Sequence, residues 1–377
     1  MAELNETPRG NRIHIAFFGL RNAGKSTLVN AFTGQNVAIV SDVPGTTTDP
    51  VSKAMEILPL GPCLITDTAG LDDAGELGEQ RVEKSLKVLE STDIAVWVRG
   101  GEDAPAPKEF QDECRRRGTE VIEYRRGDSV EELKKRIAAV KLDDRMPGLL
   151  DGLVKKGDRV LCVVPIDESA PKGRLILPQQ QVIRECLDRG IAVTVCQPDE
   201  LSDCLNFGLF DLSGRLLVVT DSQTFGTVNQ TIKQSNNPTI RLTSFSILFA
   251  RQKGDLDEYR KGLSAIRTLK DGDTVLVAEG CTHHRQCNDI GTVKIPKALE
   301  KLSGRKLKFE FASGTDFPHP SSLIPHPSII VHCGGCMLTR REMLRRIGLA
   351  KESGIPIVNY GLVLALANGL KAEDVLI

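Results

Sequence analysis

The 377-residue sequence is short of aromatic residues, and it lacks both an excess of charge and a long apolar run. Aromatic side chains make up 4% of the residues, and 49 basic against 50 acidic residues leave a net charge of -1. Because nucleic acids are bound through basic surfaces and aromatic stacking, this composition argues against a nucleic-acid partner. No apolar run approaches the roughly 20 residues of a membrane-spanning helix, and no signal-peptide apolar segment opens the chain. We therefore expect a cytoplasmic protein with no nucleic-acid and no membrane partner.

Length and cysteine usage set the next limits. At roughly 150 residues per domain, a chain of this length predicts two or three domains. The hydrophobic fraction of 40% and the charged fraction of 26% are ordinary for folded globular chains. Ten cysteines in 377 residues do not indicate a disulfide scaffold. Thiols are therefore expected to be free or to bind metal.

Short apolar runs alternate with amphipathic helical segments along most of the chain. This rhythm predicts an α/β fold built of parallel sheets. We predict three α/β domains, over residues 1–145, 150–254 and 255–377. The central domain carries no catalytic constellation, so we expect it to serve association or packing. Near its end, the apolar pattern over 239–249 predicts one long strand.

A phosphate-binding motif lies near the amino terminus. Residues 19–27 read G-L-R-N-A-G-K-S-T, which fits G-x-x-x-x-G-K-S between a predicted strand and a predicted helix. Glycines in such a loop let backbone N–H groups point at phosphate oxygens, and the helix amino terminus adds partial positive charge. Lys25 is expected to reach the outer phosphates and Ser26 to bind Mg²⁺. The predicted nucleotide contacts are Gly19, Asn22, Ala23, Gly24, Lys25, Ser26 and Thr27.

A second motif, D-T-A-G, follows the next buried strand. Asp67 is placed to orient the hydration shell of Mg²⁺, and the N–H of Gly70 to contact a terminal phosphate. Between the two motifs, residues 43–49 form a loop rich in hydroxyl groups, with Thr46 and Thr47 among them. A loop that closes on the metal only when the γ-phosphate is present acts as a switch.

With these motifs, the first 140 residues resemble the translation-factor-related GTPases of the potassium-dependent TrmE and Era-like type. The resemblance implies that GTP or GDP is bound with Mg²⁺, and that Thr47 is the switch threonine on the metal. It also implies that Asn22 helps to hold a K⁺ ion in place of an arginine finger. Leu71 stands where many GTPases carry a water-orienting glutamine. We therefore expect slow, K⁺-stimulated GTP hydrolysis and assign no catalytic side chain.

The base-reading motif of that family is missing. No N-K-x-D sequence occurs in the chain, and its nearest counterpart is Arg-Arg-Gly-Asp at 125–128. Only 58 residues separate Gly70 from Asp128, which suggests a shortened or lost βα unit. Asp128 is a candidate acceptor for guanine, and it is equally suited to close a turn. Guanine preference is thus implied by the resemblance and not by these residues.

Soft metal ligands are concentrated in the last third of the chain. One segment reads Cys281-Thr-His283-His284, and another reads His332-Cys333-Gly-Gly-Cys336. Glycines between two cysteines let both thiolates converge on one metal, and a distant cysteine supplies a third. Three thiolates with nearby histidines suit a Cys₃His zinc site or a [4Fe–4S] cluster with one replaceable ligand.

Over its full length the chain resembles the [FeFe]-hydrogenase maturation GTPases, the HydF family. That family combines a GTPase domain, a dimerisation domain and a cluster domain with the pattern C-x-H, about fifty residues, then H-C-x-x-C. The resemblance implies a [4Fe–4S] cluster on Cys281, Cys333 and Cys336, with His283 or His332 as a possible fourth ligand. It further implies a homodimeric carrier that receives a diiron precursor from radical-SAM maturases and delivers it to the hydrogenase. GTP turnover is then a switch on partner association.

Two other functions remain open at this point. One is an RNA- or ribosome-associated GTPase with a zinc-binding tail. The other is a nucleotide-binding module that does not hydrolyse its ligand, which the missing N-K-x-D motif allows.

Overall fold

The computed structural model describes eleven stretches of the chain. They are residues 7–34, 50–72, 76–100, 104–142, 146–166, 173, 175–206, 215–280, 289–314, 317–323 and 325–376. The described residues belong to two compact units, Met1–Arg145 and Met146–Ile377. Among them no helix has the length and apolar character needed to cross a membrane.

The first unit is a five-stranded sheet flanked by helices. Its strands are β1 Ile13–Phe18, β2 Val51–Ile57, β3 Gly61–Asp67, β4 Ile94–Arg99 and β5 Glu120–Arg125, and its helices are α1 Lys25–Thr33, α2 Glu76–Leu89, α3 Lys108–Arg117 and α4 Val130–Ala138. The strand order is β2-β3-β1-β4-β5, with β2 antiparallel and the other pairs parallel. Phe17 packs on Phe32 on one face, and Phe18 and Trp97 pack on Phe110 on the other. Both faces of the sheet are therefore covered, as a parallel sheet requires.

The second unit contains two parallel sheets. The first sheet has the order β7-β6-β8-β9 and comprises β6 Arg159–Val163, β7 Ala192–Cys196, β8 Leu216–Thr220 and β9 Ile240–Ser244, with helices α5 Leu177–Asp188, α6 Leu201–Asn206, α7 Phe225–Gln234 and α8 Phe245–Lys253. The second has the order β11-β10-β12-β13 and comprises β10 Thr274–Ala278, β11 Lys308–Ala312, β12 Ile329–His332 and β13 Ile357–Asn359, with helices α9 Leu256–Ala265, α10 Ile295–Ser303, α11 Arg340–Glu352, α12 Tyr360–Ala367 and α13 Ala372–Leu376. The prediction of an α/β fold is confirmed, with a mixed sheet in the first unit and two parallel sheets in the second.

Helix α8 joins the cores of these two sheets. Phe245, Leu248 and Phe249 pack into the core of the first sheet, whereas Ile247 and Ala250 pack into the core of the second. Because α8 is apolar on nearly every side, it lies buried between the two layers.

The prediction of one long strand over 239–249 is wrong. Strand β9 ends at Ser244, whose Oγ accepts a hydrogen bond from the N–H of Ile247 at 3.3 Å and so begins α8. A helix buried on all sides has no polar face, so its sequence shows no helical periodicity. Its short apolar run therefore looked like a continuation of the strand.

Candidate functional site

The loop between β1 and α1 has the backbone shape of a phosphate cradle. Asn22 and Gly24 both adopt left-handed conformations, with φ of 58° and 91°. Gly19 has φ of 154°, and a Cβ there would lie 2.6 Å from the carbonyl oxygen of Val98. A side chain at position 19 is therefore excluded by the neighbouring strand, which explains the first glycine of the motif.

Lys25 lies inside this loop. It is buried, and its Nζ donates to the carbonyl oxygens of Leu20 at 2.8 Å and Gly19 at 3.2 Å. The ammonium is thus held at the centre of the loop by two backbone carbonyls, where its charge faces the position of an incoming phosphate. Ala23 is buried, and Thr27 lies exposed on the first turn of α1.

Ser26 and Asp67 meet at the carboxyl ends of two adjacent strands. Ser26 Oγ donates to Asp67 Oδ2 at 2.6 Å, and Asp67 is completely buried. Burial raises the pKa of this carboxyl group, while the Ser26 hydroxyl and the Lys25 charge lower it. Asp67 Oδ1 is buried with no hydrogen-bond partner among the described residues. A buried, unpartnered carboxylate oxygen beside a hydroxyl suits a hard cation such as Mg²⁺ or its bound water.

The D-T-A-G segment packs directly on the phosphate loop. A Cβ on Gly70 would lie 2.8 Å from the nitrogen of Arg21, so only glycine permits this approach. The N–H of Arg21 donates to Asp72 Oδ1 at 2.5 Å, and the N–H of Leu71 donates to the carbonyl of Gly19 at 3.3 Å. Asp72 was not identified from the sequence, since no motif marks a carboxylate two positions after the glycine.

Asp128 lies in the turn that follows β5. Its Oδ2 accepts a hydrogen bond from the N–H of Arg125 at 3.1 Å, and its carbonyl accepts one from Tyr124 at 2.8 Å. Within the described residues, β5 is the last strand of this sheet, and α4 begins directly after Ser129. The carboxylate therefore closes its own turn in this structure.

In the second unit, the two cysteines of the C-G-G-C motif lie in a loop at the carboxyl end of β12. We call residues 333–339, between β12 and α11, the cysteine loop. Cys333 Sγ accepts hydrogen bonds from the N–H of Gly280 at 3.1 Å and of Gly335 at 3.4 Å. Gly280 follows the neighbouring strand β10 and is the residue before Cys281 in the sequence.

The glycines of this loop lie in crowded surroundings. Gly335 is left-handed with φ of 65°, and a Cβ there would lie 2.4 Å from Met343 Cε on α11. A Cβ on Gly334 would lie 3.1 Å from the carbonyl of Ser246 at the start of α8. The cysteine loop is thus confined between two helices.

The two cysteines of the loop are half-buried and lie beside a buried lysine. Burial raises the pKa of Cys333 to about 11 and also raises that of Cys336. Burial lowers the pKa of Lys253 to about 8, and ionised Cys336 and Cys333 would raise it. Half-buried thiols with backbone N–H donors and a nearby cation suit metal-bound thiolates, because a bound metal takes the place of the thiol protons. The residues present therefore fit an iron–sulfur or zinc site.

His332 is completely buried, and both of its ring nitrogens are engaged. Nε2 lies 3.1 Å from Arg346 Nη1, and Nδ1 lies 2.8 Å from the carbonyl oxygen of Cys333. A guanidinium group only donates, so Nε2 must accept and Nδ1 must carry the proton. Burial and then the Arg346 charge lower the pKa of His332 to about 3. To bind a metal, the ring would have to release Arg346.

Four predicted site residues lie outside the described part of the chain: Thr46, Thr47, Cys281 and His283. Within the described part, no group of three His, Cys, Asp or Glu side chains is arranged to hold a metal ion. Two of the three predicted cluster cysteines are described, and both lie in the cysteine loop.

The fold and these two sites define a protein with a P-loop nucleotide-binding region, followed in the sequence by a cysteine-bearing α/β region. Residues 14–133 match the model of the 50S ribosome-binding GTPase family, so this part of the chain is a GTPase domain. Residues 149–254 match the Hydrogen maturase F dimerization domain, and residues 257–375 match the Hydrogen maturase F tetramerization domain. The chain belongs to the hydrogen maturase F family, which confirms the resemblance found in the sequence.

Relatives of the GTPase domain occur in proteins of other functions. The tRNA modification GTPase MnmE of Zymomonas mobilis is 37% identical over 94 residues, which is 25% of this chain and 21% of that protein. The GTPase Der of Campylobacter hominis is 36% identical over 95 residues, which is 25% of this chain and 20% of that protein. The chain thus spans only about a fifth of the length of these curated relatives.

Two solved structures are similar at a low level. Era from Aquifex aeolicus, bound to GDP and AlF₄⁻, matches with a TM-score of 0.27 and 16% identity, covering 80% of this chain and 94% of Era. Toc33 from Arabidopsis thaliana, in complex with GDP and Mg²⁺, matches with a TM-score of 0.21 and 21% identity, covering 50% of this chain and 71% of Toc33. Neither match supports a further conclusion.

Proposed function

We propose that this chain is a GTP-hydrolysing scaffold and carrier in the maturation of [FeFe]-hydrogenase. It assembles or holds a diiron precursor on a [4Fe–4S] cluster and delivers the precursor to the hydrogenase. Membership of the hydrogen maturase F family supports this role. The single observation that carries the cluster site is the hydrogen bond from Gly280, next to Cys281 in the sequence, to the sulfur of Cys333 at 3.1 Å.

In this proposal the amino-terminal domain binds GTP or GDP with Mg²⁺. Lys25 neutralises the outer phosphates, Ser26 and Thr47 hold the metal, and Asp67 orients its water ligands. The unpartnered Oδ1 of Asp67 supports this assignment. The other assigned nucleotide contacts are Gly19, Asn22, Ala23, Gly24, Thr27, Thr46 and Gly70.

Hydrolysis by this domain is proposed to be slow and stimulated by K⁺. Asn22 holds the K⁺ ion beside the phosphates, and Leu71 cannot orient water as a glutamine would. Asp128 is proposed to accept hydrogen bonds from guanine once Arg125 releases its carboxylate. Asp128→Asn tests this, because the variant should lose preference for GTP over XTP by about tenfold, and an unchanged ratio would leave Asp128 a turn residue.

In the carboxy-terminal domain, Cys281, Cys333 and Cys336 are proposed to bind the cluster. The bound cluster supplies an iron whose fourth position exchanges ligands, which a carrier needs for its cargo. His283 remains a candidate for that position. His332 is a candidate for the same position only if its ring leaves Arg346, since both of its nitrogens are hydrogen-bonded.

The central domain, residues 150–254, is proposed to form a homodimer. The proposed partners are radical-SAM maturases and the hydrogenase. GTP turnover switches the association with these partners and takes no part in the cluster chemistry. Partner dissociation should therefore differ between GTP and a nonhydrolysable analogue. Equal dissociation rates would remove the switch from the proposal.

Substitution of one cysteine tests the cluster site. Cys333→Ala should abolish iron binding after anaerobic reconstitution and leave nucleotide binding intact. Cys204→Ala is the matched control, because Cys204 is also half-buried in the second unit but lies on α6. Full iron content in Cys333→Ala would refute the ligand assignment.

A further inference from the structure

A buried lysine from the central segment lies under the cysteine loop. Lys253 is the last residue of α8 and is 0% exposed. Its Nζ donates to three carbonyl oxygens of the loop, those of Leu338 at 2.6 Å, Cys336 at 3.0 Å and Gly335 at 3.2 Å. These contacts join residues that are 82 to 85 positions apart in the sequence.

The surroundings of Nζ match the charged form of lysine. An ammonium group has three N–H donors and no acceptor, and here three carbonyl oxygens receive them. The ring of Phe249, one turn earlier on α8, lies 5.3 Å from Nζ and adds a cation–π contact. All hydrogen-bonding capacity of the side chain is therefore directed to the cysteine loop.

The charge of Lys253 has no carboxylate partner within the described part of the chain. The loop that its Nζ contacts carries the two described cysteines, Cys333 and Cys336. A buried charge is costly unless an opposite charge accompanies it. Thiolates bound to a cluster, together with the cluster itself, would supply that opposite charge.

The same helix also supports the other side of the loop. Ser246 lies seven residues before Lys253, which is about two helical turns and places both on one face. Gly334 packs against Ser246 so closely that a Cβ would lie 3.2 Å from its Cα. Helix α8 belongs to the segment that matches the dimerization model, whereas the cysteine loop belongs to the tetramerization segment.

We propose that Lys253 is a positioning residue for the iron–sulfur cluster, supplied by the central segment. It fixes the cysteine loop through three carbonyl oxygens, and its positive charge offsets the negative charge of the thiolates and the cluster. This inference rests on the proposed cluster function. A fixed cation near a cluster stabilises the reduced state, so Lys253 raises the reduction potential.

Two substitutions separate the charge from the hydrogen bonds. Lys253→Met removes both, whereas Lys253→Gln keeps two N–H donors without a charge. The full-length chain is reconstituted anaerobically with iron and sulfide, and iron per chain and the reduction potential are measured by an EPR-monitored titration. Lys297→Met is the matched control, because Lys297 is exposed on α10 of the same unit.

Both Lys253 variants should show a lower reduction potential than the parent, and Lys253→Met should also bind less than half of the parental iron. Lys297→Met should match the parent in both measurements. If both Lys253 variants had the same reduction potential as the parent, the proposed role of Lys253 would be overturned, whatever their iron content. A parent chain that binds no iron would instead contradict the proposed function itself.

Discussion

At the residue scale, the two sites differ in how far the sequence reveals them. Lys25 and Ser26 stand in a local motif, and the structure places Ser26 against Asp67 at 2.6 Å. Lys253 stands in no motif, because its partners lie more than 80 positions away and are backbone carbonyls. A sequence pattern records the identity of side chains. It does not record which distant carbonyl groups a buried ammonium will meet.

Removal of the Lys25 charge should weaken the nucleotide site and leave the cysteine site unchanged. Lys25→Ala is expected to weaken GTP binding by about 10- to 100-fold, since hydrogen bonds to charged groups contribute about 1.5–3 kcal/mol. Iron content after reconstitution should equal that of the parent. Calorimetric titration with GTP and an iron assay measure the two properties.

Lys87→Ala serves as the control for this variant, because Lys87 is exposed on α2 and pairs with Glu83 at 3.8 Å. Parental GTP affinity in Lys25→Ala would contradict the assignment of the phosphate loop.

At the scale of elements, the buried strands that lead into the motifs could be predicted, and the antiparallel strand β2 could not. Strands β1, β3 and β12 are short apolar runs that end at a motif, so both sequence and structure place the motifs at carboxyl ends of strands. Strand β2 was missed because it is a half-exposed antiparallel strand carrying Lys53 and Glu56. Helix α8 was mistaken for a strand because its burial between two layers removes the polar face that marks a helix.

Crowding at Gly335 should disturb the cysteine loop. Gly335→Ala introduces a Cβ that meets the terminal methyl of buried Met343 on α11, so this side chain must move, and we expect iron content to fall below that of the parent. Gly304→Ala is the matched control, because Gly304 has φ of 66° against 65° for Gly335 but no neighbouring atom within 4 Å.

Both alanines impose a similar left-handed strain of about 1–2 kcal/mol, so only the crowding differs between them. Iron assays and thermal melting on the two full-length variants measure the result. Equal iron content in both would show that the packing of the loop does not govern the cluster site.

At the scale of the whole molecule, the chain divides into two compact units, and one candidate site lies in each. The division into three domains, over residues 1–145, 150–254 and 255–377, stays a prediction. Sequence motifs sufficed to propose both sites and the family. Only the structure shows the hydrogen bonds of His332 and the lack of a partner for Asp67 Oδ1 among the described residues. Both depend on burial and on neighbours from other strands and helices.

The stability of the first unit should depend on pH through His14. This histidine is buried in β1, and burial lowers its pKa. The hydrogen bond to the carbonyl of Arg9 and the charge of Asp93 oppose this shift, whereas the charges of Arg9 and Arg12 add to it. Because the unfolded chain takes up the proton more readily, stability is constant above about pH 6.5 and falls as the pH drops below it.

Trp97, the single tryptophan, lies buried in the first unit, so its fluorescence reports unfolding of that unit. His14→Gln should flatten the loss of melting temperature between about pH 6.5 and pH 5. His319→Asn is the control, because His319 is exposed in the second unit. A parental pH profile in His14→Gln would contradict the role of His14.

The central claim is that the chain joins a GTPase domain to a thiolate-bound iron–sulfur cluster, and the metal content of the anaerobically reconstituted full-length protein tests it most directly. The account predicts a brown protein with about four irons per chain, whose Cys333→Ala variant is colourless and still binds GTP. A colourless parent that takes up one zinc ion and no iron would contradict it.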